Sequence, residues 1–310
     1  MRGPVWSVAI GLLGTISTFG AVKFSLPPAA PSWVKLGSSK KLQVSGAALE
    51  HQSAGLTEFL VIHESKAPDE PRIGRVAVTA RATTYTPLAW PQHAEWPVDV
   101  ESICAMPGSP GRYLMLASAG RLFTVEVSGK QVSLVGAPID FLRPEGWSAP
   151  NYEAFAVQQV DGRLFAVWAD RGDEAAPSRL FWGPFDAEKG PTIAGFFDVR
   201  VPWPPPEQTR EIVDLKVDAA GVVWAMAAWD DHDVTHYRSA LYALGVIWDP
   251  SSSIGYRPNP NLVPVRVLLG HKVEALELIP GPDGGFAFGA DDSDNGGWFL
   301  LETSMLAARH

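Results

Sequence analysis

Cysteine is nearly absent: Cys104 is the only one in 310 residues. No intrachain disulfide can form, and its place in "SICAM" reads as a small core hydrophobe rather than a nucleophile. Positive charge is also scarce, with Lys+Arg 25 against Asp+Glu 34 and a net charge of −9. The chain has no basic footprint for phosphates, which excludes nucleic acid as a partner. G-x-S-x-G, H-E-x-x-H, C-x-x-C, P-loop and G-x-G-x-x-G patterns are all missing. Serine-hydrolase elbows, zincins, redox pairs and nucleotide loops therefore lack sequence support. The seven histidines are scattered; His232 and His236 would share a metal only on a helix, and "HES" at 63–65 has no second His at helical spacing.

Turn-formers and apolar residues are plentiful instead, with Gly 29, Pro 27 and 46% hydrophobic. That mixture predicts an all-β protein of short strands and tight connections. The opening "MRGPVWSVAIGLLGTISTFGAVKFS" (1–25) has the layout of a secretory signal peptide: Arg2, an apolar run, then small residues near Gly20 and Ala21. The alternative is an uncleaved membrane anchor over Val5–Val22. Either reading expects a periplasmic or secreted body at 32–310 that meets a membrane only through this segment. Cys104 lies too far away to be a lipid-anchor cysteine.

Five segments repeat one plan of strand, Gly-bearing turn, apolar strand and polar tip. They are "VSGAALEHQSAGLTEFLVIHES" (44–65), "VESICAMPGSPGRYLMLASAG" (100–120), "YEAFAVQQVDGRLFAVWADRG" (152–172), "IVDLKVDAAGVVWAMAAWDD" (212–231) and "VEALELIPGPDGGFAFGADDSDNGG" (273–297). Asp161-Gly162 and Ala220-Gly221 supply hairpin turns. Aligning Ser45, Glu101, Glu153, Val213 and Glu274 gives separations of 56, 52, 60 and 61 residues, the size of a four-stranded propeller blade. Only 36 residues follow Glu274, too few for a whole blade, while "SWVKLGSSKKLQ" (32–43) has no hairpin partner. A five-bladed β-propeller whose N-terminal strand completes the last blade accounts for both ends. Six blades are the alternative if 173–211 or 246–272 hides another unit. Proline in "VPWPPPEQ" points there to outer strands and loops instead.

The first strand of each blade lines a propeller's channel, so Glu101, Glu153 and Glu274 are expected to face one another. Like charges at that range require a proton or a cation between them. Ca²⁺ suits irregular oxygen geometry from non-equivalent blades. The series Ser45-Gly46, Glu101-Ser102, Glu153-Ala154, Val213-Asp214 and Glu274-Ala275 resembles that of the five-bladed SdiA-regulated (YjiK-like) family and of the calcium-dependent apyrase family. In both, the blades open on Ser, Glu, Glu, Ser, Glu. The resemblance implies a channel Ca²⁺ held by Ser45, Glu101, Glu153 and Glu274, with Asp214 a further candidate ligand: it comes one residue late, which turns its side chain into the blade packing or leaves only its backbone to bind. The competing reading has these glutamates solvated or paired with Arg or Lys.

The second strand of each hairpin returns to the same mouth, bringing His63 and Glu64, Ser118, Asp170 and Arg171, Asp230 and Asp231, and Asp291 and Asp292 to the rim. Such a cleft suits further cations or a metal-bridged phosphate. "DDSDNGGWFLLE" (291–302) also has EF-hand-like spacing at Asp291, Ser293, Asn295, Gly296 and Glu302, although its flanks read as strands. Exposed members of the 12 Trp are candidates for stacking sugars, whereas Trp168 and Trp224 read as core. The expected function is a calcium-binding extracytoplasmic module that recognises a small-molecule ligand or envelope protein. The alternative is a metal-assisted hydrolase of phosphoesters or related esters.

Overall fold

The computed structural model describes residues 32–141, 150–160, 162–172, 176–205, 209–229, 236–248, 255–281 and 284–303. They form five antiparallel sheets. The inner strands are Gly46–Ser53, Val100–Ala105, Tyr152–Val160, Thr209–Val217 and Val273–Ile279, each followed by its hairpin partner. The turns use glycine where the backbone must be left-handed, as at Gly162 (φ 80) and Gly221 (φ 82). Val34–Lys35 pairs antiparallel with the last strand of the fifth blade, Val34 opposite Phe299 and Lys35 opposite Trp298. The expected clasp is present.

The long connections carry no sixth sheet among the described residues. Gly190–Pro191 and Gly195–Val199 share the outer edge of the third blade, and Gly255–Pro258 and Arg266–Leu269 that of the fourth. They are split outer strands, as their proline content predicts.

Five apolar clusters fill the five interfaces between adjacent blades, and the last joins the fifth blade to the first. Successive inner-strand residues alternate between neighbours: Ala154 and Ala156 pack toward the fourth blade, Phe155 and Val157 toward the second. Burial on both faces explains why "YEAFAV" and "VEALEL" are nearly continuous apolar runs rather than alternating ones. Cys104 (4% exposed) and Trp168 (2%) are core, as expected, and burial pushes the Cys104 thiol up to about 12. Trp224 is partly buried against the cluster between the fourth and fifth blades. Residues 1–25, Asp230, Asp231 and His232 lie outside the described residues.

Candidate functional site

One backbone device repeats at the channel mouth. In the second blade Val100 opposes Ala117 and Ser102 opposes Leu116, leaving Glu101 as an extra residue in a β-bulge. Glu153 occupies the same place between Tyr152 and Ala154, and Glu274 between Val273 and Ala275. A bulge bends its strand and re-aims one side chain. The shared local frame of the three glutamates is therefore a shared distortion, and it brings their carboxylates into one mutually repelling group.

Two tight sets result. One carboxylate oxygen from each of Glu64, Asp99 and Glu101 lies within 4.8 Å of the others, and so do those from Glu64, Glu274 and Asp291. Four cations are interleaved. Lys66 Nζ stands 2.9 Å from Asp99 and 3.7 Å from Glu64, and Lys272 Nζ 3.0 Å from Asp291 and 3.2 Å from Glu274. Arg171 donates to Glu153 at 3.1 Å and Arg210 to Glu274 at 3.1 Å. Six carboxylates (Glu64, Asp99, Glu101, Glu153, Glu274, Asp291) thus meet four cations (Lys66, Arg171, Arg210, Lys272), a formal excess of two negative charges among the described residues.

That excess falls on particular atoms. Glu101 is 6% exposed and makes no hydrogen bond or ion pair among the described residues. Glu274 Oε2 is buried without a hydrogen-bond partner. Burial, reinforced by Glu153, Glu64 and Glu274, pushes Glu101 well above the ordinary carboxyl range. Burial raises Glu153 to about 8 despite Arg171, and raises Glu274 despite Lys272. Burial raises Glu64 too, with help from Glu274. Asp99 goes the other way: burial raises it, but hydrogen bonds from Lys66 and Ser118 outweigh burial.

The remaining expected residues are placed as follows. Ser118 donates to Asp99 at 2.7 Å and so supports the mouth. Ser45 turns its hydroxyl to the Val100 carbonyl, 2.8 Å away, stitching the first blade to the second. His63 is buried between the Gln43 carbonyl (2.6 Å) and the Tyr85 hydroxyl (2.9 Å), and burial lowers it to about 4, so it is a neutral packing residue. Asp170 accepts from the Asn151 and Gly172 amides and caps its own turn. Asp292 bonds His271 Nδ1 at 2.6 Å. The EF-hand-like spacing does not become an EF-hand: Glu302 lies in the strand Gly297–Thr303 and pairs with Arg266 at 2.5 Å, while Asp291 accepts from Ser293 N within its own loop.

Asp214 lies one layer deeper. It accepts from Leu215 N and Leu276 N, both at 2.8 Å, from Ser102 Oγ at 3.2 Å and from Lys216 Nζ at 3.4 Å. Lys216 also donates to the Ile103 carbonyl at 3.0 Å. Glu277 in turn accepts from Leu278 N and Leu49 N. This plug spans the channel and is satisfied by backbone groups together with Ser102 and Lys216, with burial as the chief cause raising Asp214 to about 6 and Glu277 to about 7.

Asp99, Lys66, Arg210 and Lys272 were not anticipated from sequence. A signal exists for two of them: Asp99 and Lys272 each stand two residues before a bulged glutamate, as Asn151 does before Glu153. Asp99 also adopts φ 59, a left-handed conformation rare outside glycine.

No protein-family model matches the chain, and no curated protein matches its sequence. Solved structures do resemble it. A GH32 β-fructofuranosidase of Bombyx mori in complex with sucrose has a TM-score of 0.50 at 9% identity, over 85% of this chain and 61% of that one. An endo-arabinase of Bacteroides thetaiotaomicron scores 0.49 at 10% identity, over 87% and 96%. The glutaminyl cyclase of Myxococcus xanthus scores 0.44 at 12%, over 88% and 94%. Likeness at such identity speaks to the propeller fold alone. The resemblance to the YjiK-like and apyrase families rests on the repeat residues only.

Proposed function

We propose that the propeller is an extracytoplasmic binding module whose channel mouth holds a Ca²⁺ ion, with Glu64, Asp99 and Glu101 as the protein ligands and Glu153 and Glu274 completing the field behind them. The observation that carries this reading is Glu101, a buried carboxylate without a hydrogen-bond or ion-pair partner among the described residues, aimed by a bulge at two other carboxylates. An unpaired buried charge is costly, and a divalent ion cancels an excess of two charges in one step. An all-oxygen donor set from unrelated strands and loops favours a hard ion tolerant of irregular geometry. Lys66 is 64% exposed, so it can leave Asp99 for water at small cost when the ion enters. The reading of residues 1–25 as a signal peptide or anchor supports a compartment where calcium is abundant enough for a weak extracellular-type site.

A second reading, metal-assisted hydrolysis of phosphoesters or related esters, is favoured by one feature. Glu153, raised to about 8, is a proton donor at neutral pH beside Arg171, which suits departure of an oxygen leaving group.

Thermal unfolding and metal analysis of the purified protein test the first reading. Calcium should raise the melting temperature relative to chelator and co-purify or titrate at one ion per chain, and Glu101→Gln should remove both effects. Turnover of a generic phosphoester that appears with calcium and stops with chelator selects the second reading. An unchanged melting temperature with no bound ion rejects both.

A further inference from the structure

A cavity of about 660 Å³ is built on the last strand of the first blade and the neighbouring loops, and three aromatic side chains, Tyr85, Trp90 and Trp96, help line it. Trp96 is 42% exposed although it is large and apolar, and Arg72 stacks on its ring 5.2 Å from the centroid. Neither Trp lies in a strand; Trp90 also packs against the apolar cluster between the first and second blades, whereas Trp96 belongs to no cluster among the described residues.

The walls are prebuilt. Arg72, 3% exposed, spends its donors on backbone carbonyls of two loops: Nε to Pro97 at 3.0 Å, Nη1 to Glu70 at 2.8 Å and Nη2 to Ala67 at 2.9 Å. Glu70 accepts from the amides of Lys66 and Ala67 at 2.8 and 2.9 Å, which locks the same loop. Trp90 is held by its Nε1 donating to the Glu95 carbonyl at 3.1 Å. A cavity whose rings are fixed before binding loses little entropy when a ligand arrives. Two polar groups at its edge are left open to solvent: Asp69, whose side chain is 78% exposed, and Gln92.

Flat aromatic faces beside an exposed carboxylate, Asp69, whose ion pair is with Lys41 Nζ at 3.5 Å, and an exposed amide, Gln92, match one ligand chemistry well. A pyranose or furanose ring presents a C–H face to stack on an indole and a rim of vicinal hydroxyls for planar acceptors and donors. An acyl chain would strand Asp69 and Gln92 against apolar surface, and a phosphorylated ligand would meet Asp69 and Glu70, which share Lys41 between them, with Arg72 already committed to the backbone.

We propose that this cavity is a carbohydrate subsite that takes one or two sugar units of a neutral oligosaccharide, with Trp96 as the stacking platform, Trp90 and Tyr85 as side walls, and Asp69 and Gln92 as hydroxyl partners. The inference does not depend on an ion at the channel mouth. It does have a structural route to it: the segment carrying Trp90 and Trp96 ends at Asp99, and the loop pinned by Arg72 carries Lys66, which pairs with Asp99.

The test is a titration of the intact protein with a panel of neutral hexasaccharides built from glucose, xylose, arabinose and N-acetylglucosamine, read by tryptophan fluorescence and calorimetry, in calcium and in chelator. At least one should bind with saturable quenching. Trp96→Ala should weaken that binding at least about tenfold, Trp96→Phe should retain part of it, and Trp248→Ala, at an exposed Trp on another blade, should leave it unchanged. Circular dichroism checks that each variant is folded. Failure of every sugar to bind overturns the proposal, as does binding that survives Trp96→Ala in a folded protein. Saturable binding of a proline-rich peptide at Trp96 without any sugar would identify a peptide groove and overturn it too.

Discussion

Two layers of the same channel treat buried charge in opposite ways. At the plug, Asp214 receives two amides, a hydroxyl and an ammonium, and Lys216 is closed by Asp214 and a carbonyl. At the mouth, farther along the same strands, Glu101 receives no hydrogen bond and Glu274 Oε2 accepts none among the described residues. The plug is a polar network that joins the inner strands of four blades, and Ser102 Oγ ties in the fifth by accepting from Phe155 N at 3.0 Å. Among the described residues the mouth carries a formal excess of two negative charges, and its glutamates reach it through bulges at the same place in three blades. Complete satisfaction marks structure, and deficit at a repeated distortion marks a site.

The sharpest way to break this contrast is to remove one charge from each layer. Asp214→Ala leaves Lys216 buried without its carboxylate and two amides without an acceptor. It should cost about 3–5 kcal/mol in urea unfolding, and a loss below about 1 kcal/mol would show that the plug is not structural. Glu101→Gln should do the reverse in chelator, raising stability by about 0.5–2 kcal/mol because a repelled carboxylate becomes a neutral amide, while abolishing the calcium response.

A pH series sharpens the comparison further. The folded pKa of Glu153 is raised above the ordinary 4.5 to about 8, so the folded state binds the extra proton. Stability is then fully present below about pH 4.5 and is lost as pH rises toward 8, with a slope of about 1.4 kcal/mol per pH unit for one proton. In chelator the parent should lose stability across that window relative to Glu153→Gln, and saturating calcium should flatten the difference. Equal slopes for parent and variant in chelator would contradict the assignment.

The smallest expected effect concerns Lys66, the tethered cation over Asp99 and Glu64. Lys66→Met should tighten calcium binding about two- to fivefold by calorimetry, since an exposed ion pair contributes at most about 1 kcal/mol. Weaker binding would mean that Lys66 orders the site rather than competes for it.

Much of this was legible in the residues. Because each blade is buried on both faces, its inner strands are apolar runs of recognisable length, and the repeat "EAFAV" against "EALEL" fixed the frame of Glu153 and Glu274. The clasp followed from the shortage of chain after Glu274. What was hidden depends on backbone geometry that composition does not encode. Ser45 has no bulge at its position, so its hydroxyl turns to a neighbouring carbonyl. In the fourth blade the irregularity spans Arg210 to Asp214, which delivers Arg210 to the mouth and Asp214 to the plug. Asp99 and Lys272 sit just ahead of their strands, where a repeat aligned on strand starts does not look.

The most direct measurement is anomalous diffraction from crystals grown with calcium. A peak among Glu64, Asp99 and Glu101, with Lys66 swung away from Asp99 and oxygen distances near 2.3–2.6 Å, is the predicted result. Clear density showing no ion there, with Glu101 instead sharing a proton with a neighbouring carboxylate, would contradict the account.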